Sequence, residues 1–309
     1  MSLGDHEGEI GGGGPPVGVP ARPADGHKGT FGTVMVVGGS ATMPGAAAMA
    51  ARAAFRAGAG LVKVAAPAEV MGAVLMIEPS ATGVALGGRG WSGLVEALRG
   101  ADRDGRAALA VGPGLGAGAD EVLPPLVNDG RAMVLDADGL NALAGSGRRL
   151  RRVGPTVLTP HPGEFGRLAR AAGLRVDLES ASGRREAASA LAAAHEAVVV
   201  LKGAGTVVSD GREAWVNGTG NVAMAAAGSG DVLTGLIAAL MAGGRGAWDS
   251  ARLGVYVHGL AGDRWARDHG DRGLLARELA DGLPAAFACA AGRGSGERRS
   301  VDQVGVSSG

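Results

Sequence analysis

The residues best suited to chemistry lie at Gly228-Ser229-Gly230-Asp231, directly ahead of the apolar run Val232 to Met241. Glycines before a helix let bare backbone N–H groups converge on an anion. The helix dipole adds about half a positive charge there, so a phosphate or a transferring phosphoryl group is the natural occupant. Asp231 in that turn could act as a general base, or could simply be a first-turn acid that favours the helix N-terminus. Lys202-Gly203-Ala204-Gly205-Thr206 holds one of only three lysines, in a setting that suggests backbone wrapped around a phosphate or ribose. His161 sits between two prolines in Thr159-Pro160-His161-Pro162-Gly163-Glu164 and is held stiffly on a loop. Glu164 could bind magnesium, directly or through water, or could be a first-turn helix acid. Gly112-Pro113-Gly114-Leu115-Gly116 reads equally as a ligand loop or a tight turn, because 58 glycines lower the weight of any one of them. Asp136 and Asp138 point to opposite sides if a strand runs through them, so at most one is expected to face a ligand. His258 and Asp263, about 140° apart on a helix, are weak as a pair.

The elements that would position these groups alternate along the chain. Strands are expected at Val34 to Val37, Leu61 to Ala65, Ala107 to Val111, Met133 to Leu135, Thr156 to Leu158 and Val198 to Leu201. Helices are expected at Ala46 to Ala57, Glu164 to Ala172, Ser182 to His195, Val232 to Met241, Ser250 to Arg267 and Leu274 to Ala290. This order predicts an α/β fold with a largely parallel, doubly wound sheet. Thr206 to Ser209 and Glu213 to Val216 flank Asp210-Gly211-Arg212, a hairpin signal that predicts an antiparallel edge. Five consecutive strand ends carry small or polar residues, and ligands bind beyond the carboxyl ends of such strands. One domain over residues 27–291 is expected, with a flexible leader at 1–26 and a flexible tail at 292–309.

Composition narrows the function. The 309 residues are 46% hydrophobic and carry 30 basic against 30 acidic side chains, which disfavours disorder and a polybasic nucleic-acid binder. Cys289 is the single cysteine, so neither an internal disulfide nor a CxxC metal knuckle can form. No apolar stretch reaches the roughly 18 residues of a membrane span. The N-terminus carries acids where a signal peptide needs bases, so a cytoplasmic location is expected. The first strand is followed by GGSATMPG, which is neither a dinucleotide GxGxxG nor a Walker GxxxxGK[ST].

Taken in order, HKGTFG at His27, the GGS turn, PGA at Pro44, GAGLVKVA at Gly58, GPGLG, DADGLN at Asp136, TPHPGEF, LKGAGT, GSGDVLTG and HGLAGD at His258 resemble the ADP-dependent NAD(P)H-hydrate dehydratases. The resemblance runs from about residue 26 to residue 290, and GSGDVLTG and TPHPGE are its most diagnostic parts. It implies the ribokinase-like three-layer αβα fold, in which HPGE stands where the sugar and vitamin kinases carry NxxE. It further implies a lyase that repairs NADH and NADPH hydrated at C6 of the nicotinamide ring (NADHX and NADPHX), consuming ADP to AMP and phosphate. Magnesium is implied as cofactor, with ATP as a possible substitute donor. Carried over position by position, Ala46, Gly114, His161 and Asp231 would contact the hydrate, while Lys202, Gly203, Ala204, Gly205, Thr206 and Gly230 would hold the nucleotide. Gly228, Ser229, Gly230 and Asp231 would form the catalytic turn.

The chain departs from the family pattern at Asn221 to Ala226, which lacks the Pro, the second Gly and the Thr of GNPGMAT. The family is often fused to an epimerase domain, which the leader is too short to hold, so a separate epimerase is expected as the functional partner. A homotetramer is implied by the resemblance alone. Competing readings are a hydroxyethylthiazole-kinase-like enzyme of the same fold, against which HPGE argues, and a non-catalytic adenine-nucleotide sensor, against which the intact Asp231 argues.

Overall fold

The computed structural model describes residues 14–86 and 90–292. Nine strands form one sheet in the order β3-β2-β1-β4-β5-β6-β7-β8-β9. The parallel part comprises β1 (Thr33–Val37), β2 (Leu61–Ala66), β3 (Thr82–Ala85), β4 (Ala108–Val111), β5 (Met133–Leu135), β6 (Thr156–Leu158) and β7 (Val198–Leu201). β8 (Val207–Ser209) and β9 (Ala214–Val216) run antiparallel, so the predicted edge hairpin is present. The central strands read as unbroken apolar runs because both faces are covered. Met35, Val37, Leu109, Val111, Met133 and Leu135 point to one layer, while Val34, Val36, Ala108, Ala110 and Val134 point to the other.

The first layer holds α3 (Leu94–Ala101), α4 (Ala119–Leu126), α5 (Ala137–Gly145), α6 (Pro162–Ala171) and α7 (Ala181–His195). The second holds α1 (Pro44–Arg56), α2 (Ala68–Ile77), α8 (Ser229–Ala242) and α9 (Ala247–His269), with α10 (Ala276–Ala290) packed behind α8 and α9. Alanine sets the spacing of this layer. Ala47, Ala48, Ala50, Ala51, Ala53 and Ala54 are all fully buried in α1, and a Cβ on Gly235 of α8 would stand 2.0 Å from the Ala50 carbonyl oxygen. Two helices this close bring the N-terminus of α8 up against the sheet's carboxyl edge. No helix among the described residues is long and apolar enough to cross a membrane.

The expected strands β1, β2, β4, β5, β6 and β7 agree with the structure to within a residue at each end. The elements α2, β3, α3, α4 and α5 were not anticipated. The leader also differs from expectation. Its residues 1–13, like 293–309 of the expected tail, lie outside the described residues, but 14–26 rest on the domain. Arg22 Nη1 donates to the Gly58 carbonyl at 2.7 Å and its guanidinium lies over the Phe31 ring. Arg245 Nη2 donates to the Gly18 carbonyl at 2.8 Å, and Val17 and Val19 pack on the cluster around α10. Isolated arginine and valine contacts of this kind leave no periodic trace in a sequence.

Candidate active site

Asp136, His161 and Lys202 follow the carboxyl ends of β5, β6 and β7, and the glycine turn opens α8. The turn into α8 passes through Gly228, whose φ of 88° favours glycine. A Cβ there would also meet the Ala276 Cβ at 2.8 Å. Ser229 and Gly230 follow, with Asp231 in the first turn. His258 of α9 braces this turn, with its Nε2 2.9 Å from the Ser229 carbonyl oxygen. A carbonyl only accepts, so Nε2 carries the proton. Burial, reinforced by the Lys202 charge against the pull of the Ser229 bond, takes His258 down to about 4 and keeps it neutral.

Lys202 follows β7 directly and crosses to the same turn. Its Nζ lies 2.8 Å from Asp136 Oδ1 and 3.8 Å from Glu164 Oε2. Burial opposes its charge, but Asp136 and Glu164 overcome that and hold its pKa above the ordinary lysine value. The loop beyond it turns through Gly203 at φ 133° and Gly205 at φ 62°, and Thr206 Oγ1 closes it on the Gly203 carbonyl at 2.8 Å.

Asp136 lies beyond the strand. β5 stops at Leu135, so the alternation that would separate Asp136 from Asp138 never applies. Ala137, at φ 49°, turns the chain sharply into α5, a left-handed conformation that costs a non-glycine residue about 1 kcal/mol or more. Asp136 is thereby buried between Lys202 and Thr234, whose Oγ1 donates to Asp136 Oδ2 at 2.7 Å. Asp138 Oδ2 accepts from the Gly116 amide at 2.9 Å. Both carboxylates act on Asp231. Burial first, then the Asp136 charge, push Asp231 up to about 7 against the pull of Lys202, with Asp138 and Glu164 adding to the rise.

His161 caps α6. Its Nδ1 accepts from the Gly163 amide at 3.0 Å, and Glu164 Oε2 accepts from the His161 amide at 2.9 Å, a reciprocal capping box. Glu164 is therefore a first-turn acid committed to its helix and to Lys202. Among the described residues no group of three or more His, Cys, Asp and Glu side chains is arranged to hold a metal ion.

A cavity of about 650 Å³ opens beside the α8 turn, within the range of small-molecule sites. His161, Lys202 to Thr206, Ser229 and Gly230 line it together, as does His258. Ala46 and Gly114 lie apart from it but meet each other, since a Cβ on Gly114 (φ 65°) would come within 3.0 Å of the Ala46 Cβ. Asp138, which accepts from the Gly116 amide, acts on Asp231 through its charge alone. Asn217, Thr219 and Thr234 escaped the sequence reading. Only Thr234 left a signal, a hydroxyl three residues after Asp231 on the same helical face. The divergent loop forms a single 3-10 turn, Val222–Met224, capped by Asn221. Asp263 holds it, accepting from the Gly220 amide and from Asn221 Nδ2 at 2.8 Å each.

Parallel strands whose carboxyl ends surround a glycine turn with an acid in the next helical turn define a ribokinase-like α/β protein. The chain belongs to the NAD(P)H-hydrate dehydratase family, whose model matches residues 34–285. It is 43% identical over 280 residues to the bifunctional NAD(P)H-hydrate repair enzyme Nnr of Moorella thermoacetica, covering 86% of this chain and 51% of that protein. The chain thus spans about half the length of its bifunctional relatives. It is 35% identical over 270 residues to the ADP-dependent (S)-NAD(P)H-hydrate dehydratase of Bacillus subtilis, covering 86% of this chain and 92% of that one. The crystal structure of the ADP/ATP-dependent NAD(P)H-hydrate dehydratase from Bacillus subtilis, co-crystallised with ATP and Mg2+, superposes with a TM-score of 0.70 at 33% identity, covering 88% of this chain and 95% of that one.

Proposed function

We propose that this chain dehydrates the S epimer of hydrated NADH and NADPH, with ADP as phosphoryl donor. One observation carries the reading: Ser229 and Gly230 at the start of α8 line a cavity of about 650 Å³ together with Lys202, which stands beside Gly230, and Asp231, held near 7, is the next residue. A carboxyl near neutrality is matched to removing a proton from a hydroxyl. Asp231 takes the proton of the C6 hydroxyl, and the oxygen attacks the terminal phosphorus of ADP as the bond to AMP breaks. The amides at the start of α8 and the Lys202 ammonium meet the charge that develops on the transferring group. The ring nitrogen's electron pair then expels phosphate from C6, and loss of a proton from C5 restores the ring double bond.

In this reading Ala46, Gly114, His161 and Asp231 contact the hydrate, and Lys202 to Thr206 with Gly230 hold the nucleotide. The protein's carboxylates do not make a metal cage, because Asp136 and Glu164 are already bonded. Magnesium would enter as the counterion of the nucleotide's phosphates, offsetting their charge, and Glu164 would be the carboxylate to hold it through water. A cytoplasmic homotetramer supplied with the S epimer by an NAD(P)H-hydrate epimerase completes the proposal. The test is return of the dihydronicotinamide near-ultraviolet absorbance when the protein meets hydrated NADH and magnesium with ADP, with ATP or with neither. Recovery that needs the nucleotide supports the proposal, and no recovery under any condition refutes it.

A further inference from the structure

The cation whose charge acts on Asp231 is Lys202, and an ammonium beside a carboxylate ordinarily becomes its ion-pair partner. Here it does not. Lys202 Nζ is drawn to Asp136 Oδ1 at 2.8 Å and to Glu164 Oε2 at 3.8 Å, and among the described residues it forms no ion pair with Asp231. Asp136 is itself fixed. Its side chain is 2% exposed and its second oxygen accepts from Thr234 Oγ1 at 2.7 Å. Thr234 lies three residues beyond Asp231, so α8 both carries the acid and anchors the group that holds the lysine. Gly230 leaves the passage open, since a Cβ there would meet Lys202 Nζ at 3.2 Å and Asp136 Oδ2 at 3.5 Å.

We infer that Asp136, anchored by Thr234, is a positioning residue that keeps the Lys202 ammonium off Asp231 and leaves Asp231 free to take the proton of the substrate hydroxyl. The role deepens the function proposed above and rests on it. The charged groups around Asp231 come from every side: Asp136 at the end of β5, Asp138 on α5, Glu164 on α6 and Lys202 at the end of β7. Neutral His258 of α9 stands behind the Ser229 carbonyl, and His161 stands 3.5 Å from Glu164. Asp136 thus acts on Asp231 twice, by its own charge and by detaining the one that would neutralise it.

The test is a pH titration of the Asp231 carboxyl in the ligand-free full chain by infrared difference spectroscopy, with Asp231→Asn as the blank. The wild-type midpoint is expected near 7. In Asp136→Asn the lysine is released to Asp231, and the midpoint is expected to fall by a full pH unit or more; an unchanged or higher midpoint overturns the inference. Glu164→Gln keeps an oxygen for the α6 cap, weakens the longer contact and removes the smaller charge that Glu164 itself exerts on Asp231, so its midpoint falls by less. It decides the matter if Asp136→Asn does not fold, and a midpoint that stays in place there also overturns the inference. No substrate enters the titration. A chain that failed to dehydrate NADHX would refute the proposed function without moving these midpoints.

Discussion

Asp231→Asn should stabilise the fold while removing turnover. Burial and the neighbouring carboxylates raise this acid from 3.8 to about 7, so the folded state holds the charged form at a disadvantage. At about 1.36 kcal/mol per pH unit, a rise of that size is worth about 4 kcal/mol at pH 8, where the carboxylate is ionised. The direction follows from the raised value. Below about pH 4 the group is protonated in both folded and unfolded chains and costs nothing, and the penalty grows from there to about pH 7 and is complete above it. Asparagine has nearly the same shape and no charge, so the variant escapes the penalty. In a domain of this size, about 4 kcal/mol raises the melting temperature by roughly 6 °C. Urea or thermal unfolding of wild type and variant at pH 8 and pH 5 reads the difference, which should be largest at pH 8 and shrink towards pH 5. A variant no more stable than wild type at pH 8, or one whose advantage does not fall with pH, would refute the argument that Asp231 is held charged against its surroundings.

With a base titrating near 7, kcat/KM for the hydrate should rise about tenfold from pH 6 to pH 8, and a flat profile across that interval would remove Asp231 from the rate-determining proton transfer. Lys202→Ala should weaken ADP binding in calorimetry about tenfold or more and hydrate binding much less, since truncating a buried charge partner costs more than about 1.4 kcal/mol. Equal losses for both ligands would contradict the division of the site. Gly235→Ala places a methyl 2.0 Å from the Ala50 carbonyl oxygen and should cost about 2 kcal/mol or more in urea unfolding. A loss below about 0.5 kcal/mol would mean that α1 and α8 separate easily.

The sheet was legible because its central strands are buried on both faces and so print short, unbroken apolar runs such as Val34 to Val37 and Val198 to Leu201. The elements that flank β4, namely α2, β3, α3 and α4, were not, for reasons specific to their residues. Strand β3 is an edge whose Thr82, Gly83 and Ala85 are exposed, which leaves no alternation to read. Helix α4 carries Pro124 and Pro125, which ordinarily argue against a helix interior. The glycine turn, the lysine loop and His161 were each recognisable alone, because backbone shape and loop chemistry are local. The links between them are not. Lys202 meets Asp136 across 66 residues and Thr234 meets it across 98, and only the strand order brings them together. The setting of Asp136 was hidden for a local reason as well, since nothing in the Leu135-Asp136-Ala137 sequence announces a left-handed alanine.

Those long separations also bear on how the chain comes off the ribosome. Asp136 and Lys202 are synthesised well before Thr234, and their partner helix α8 must then insert against α1, made nearly two hundred residues earlier. Pairings so distant are slow to form, because the intervening chain must be closed first. The cavity beside α8 is thus among the last features to close, and a nascent or partly unfolded chain would offer the proposed nucleotide no site. A ligand that binds only the finished molecule would stabilise it by mass action and leave the intermediates unprotected.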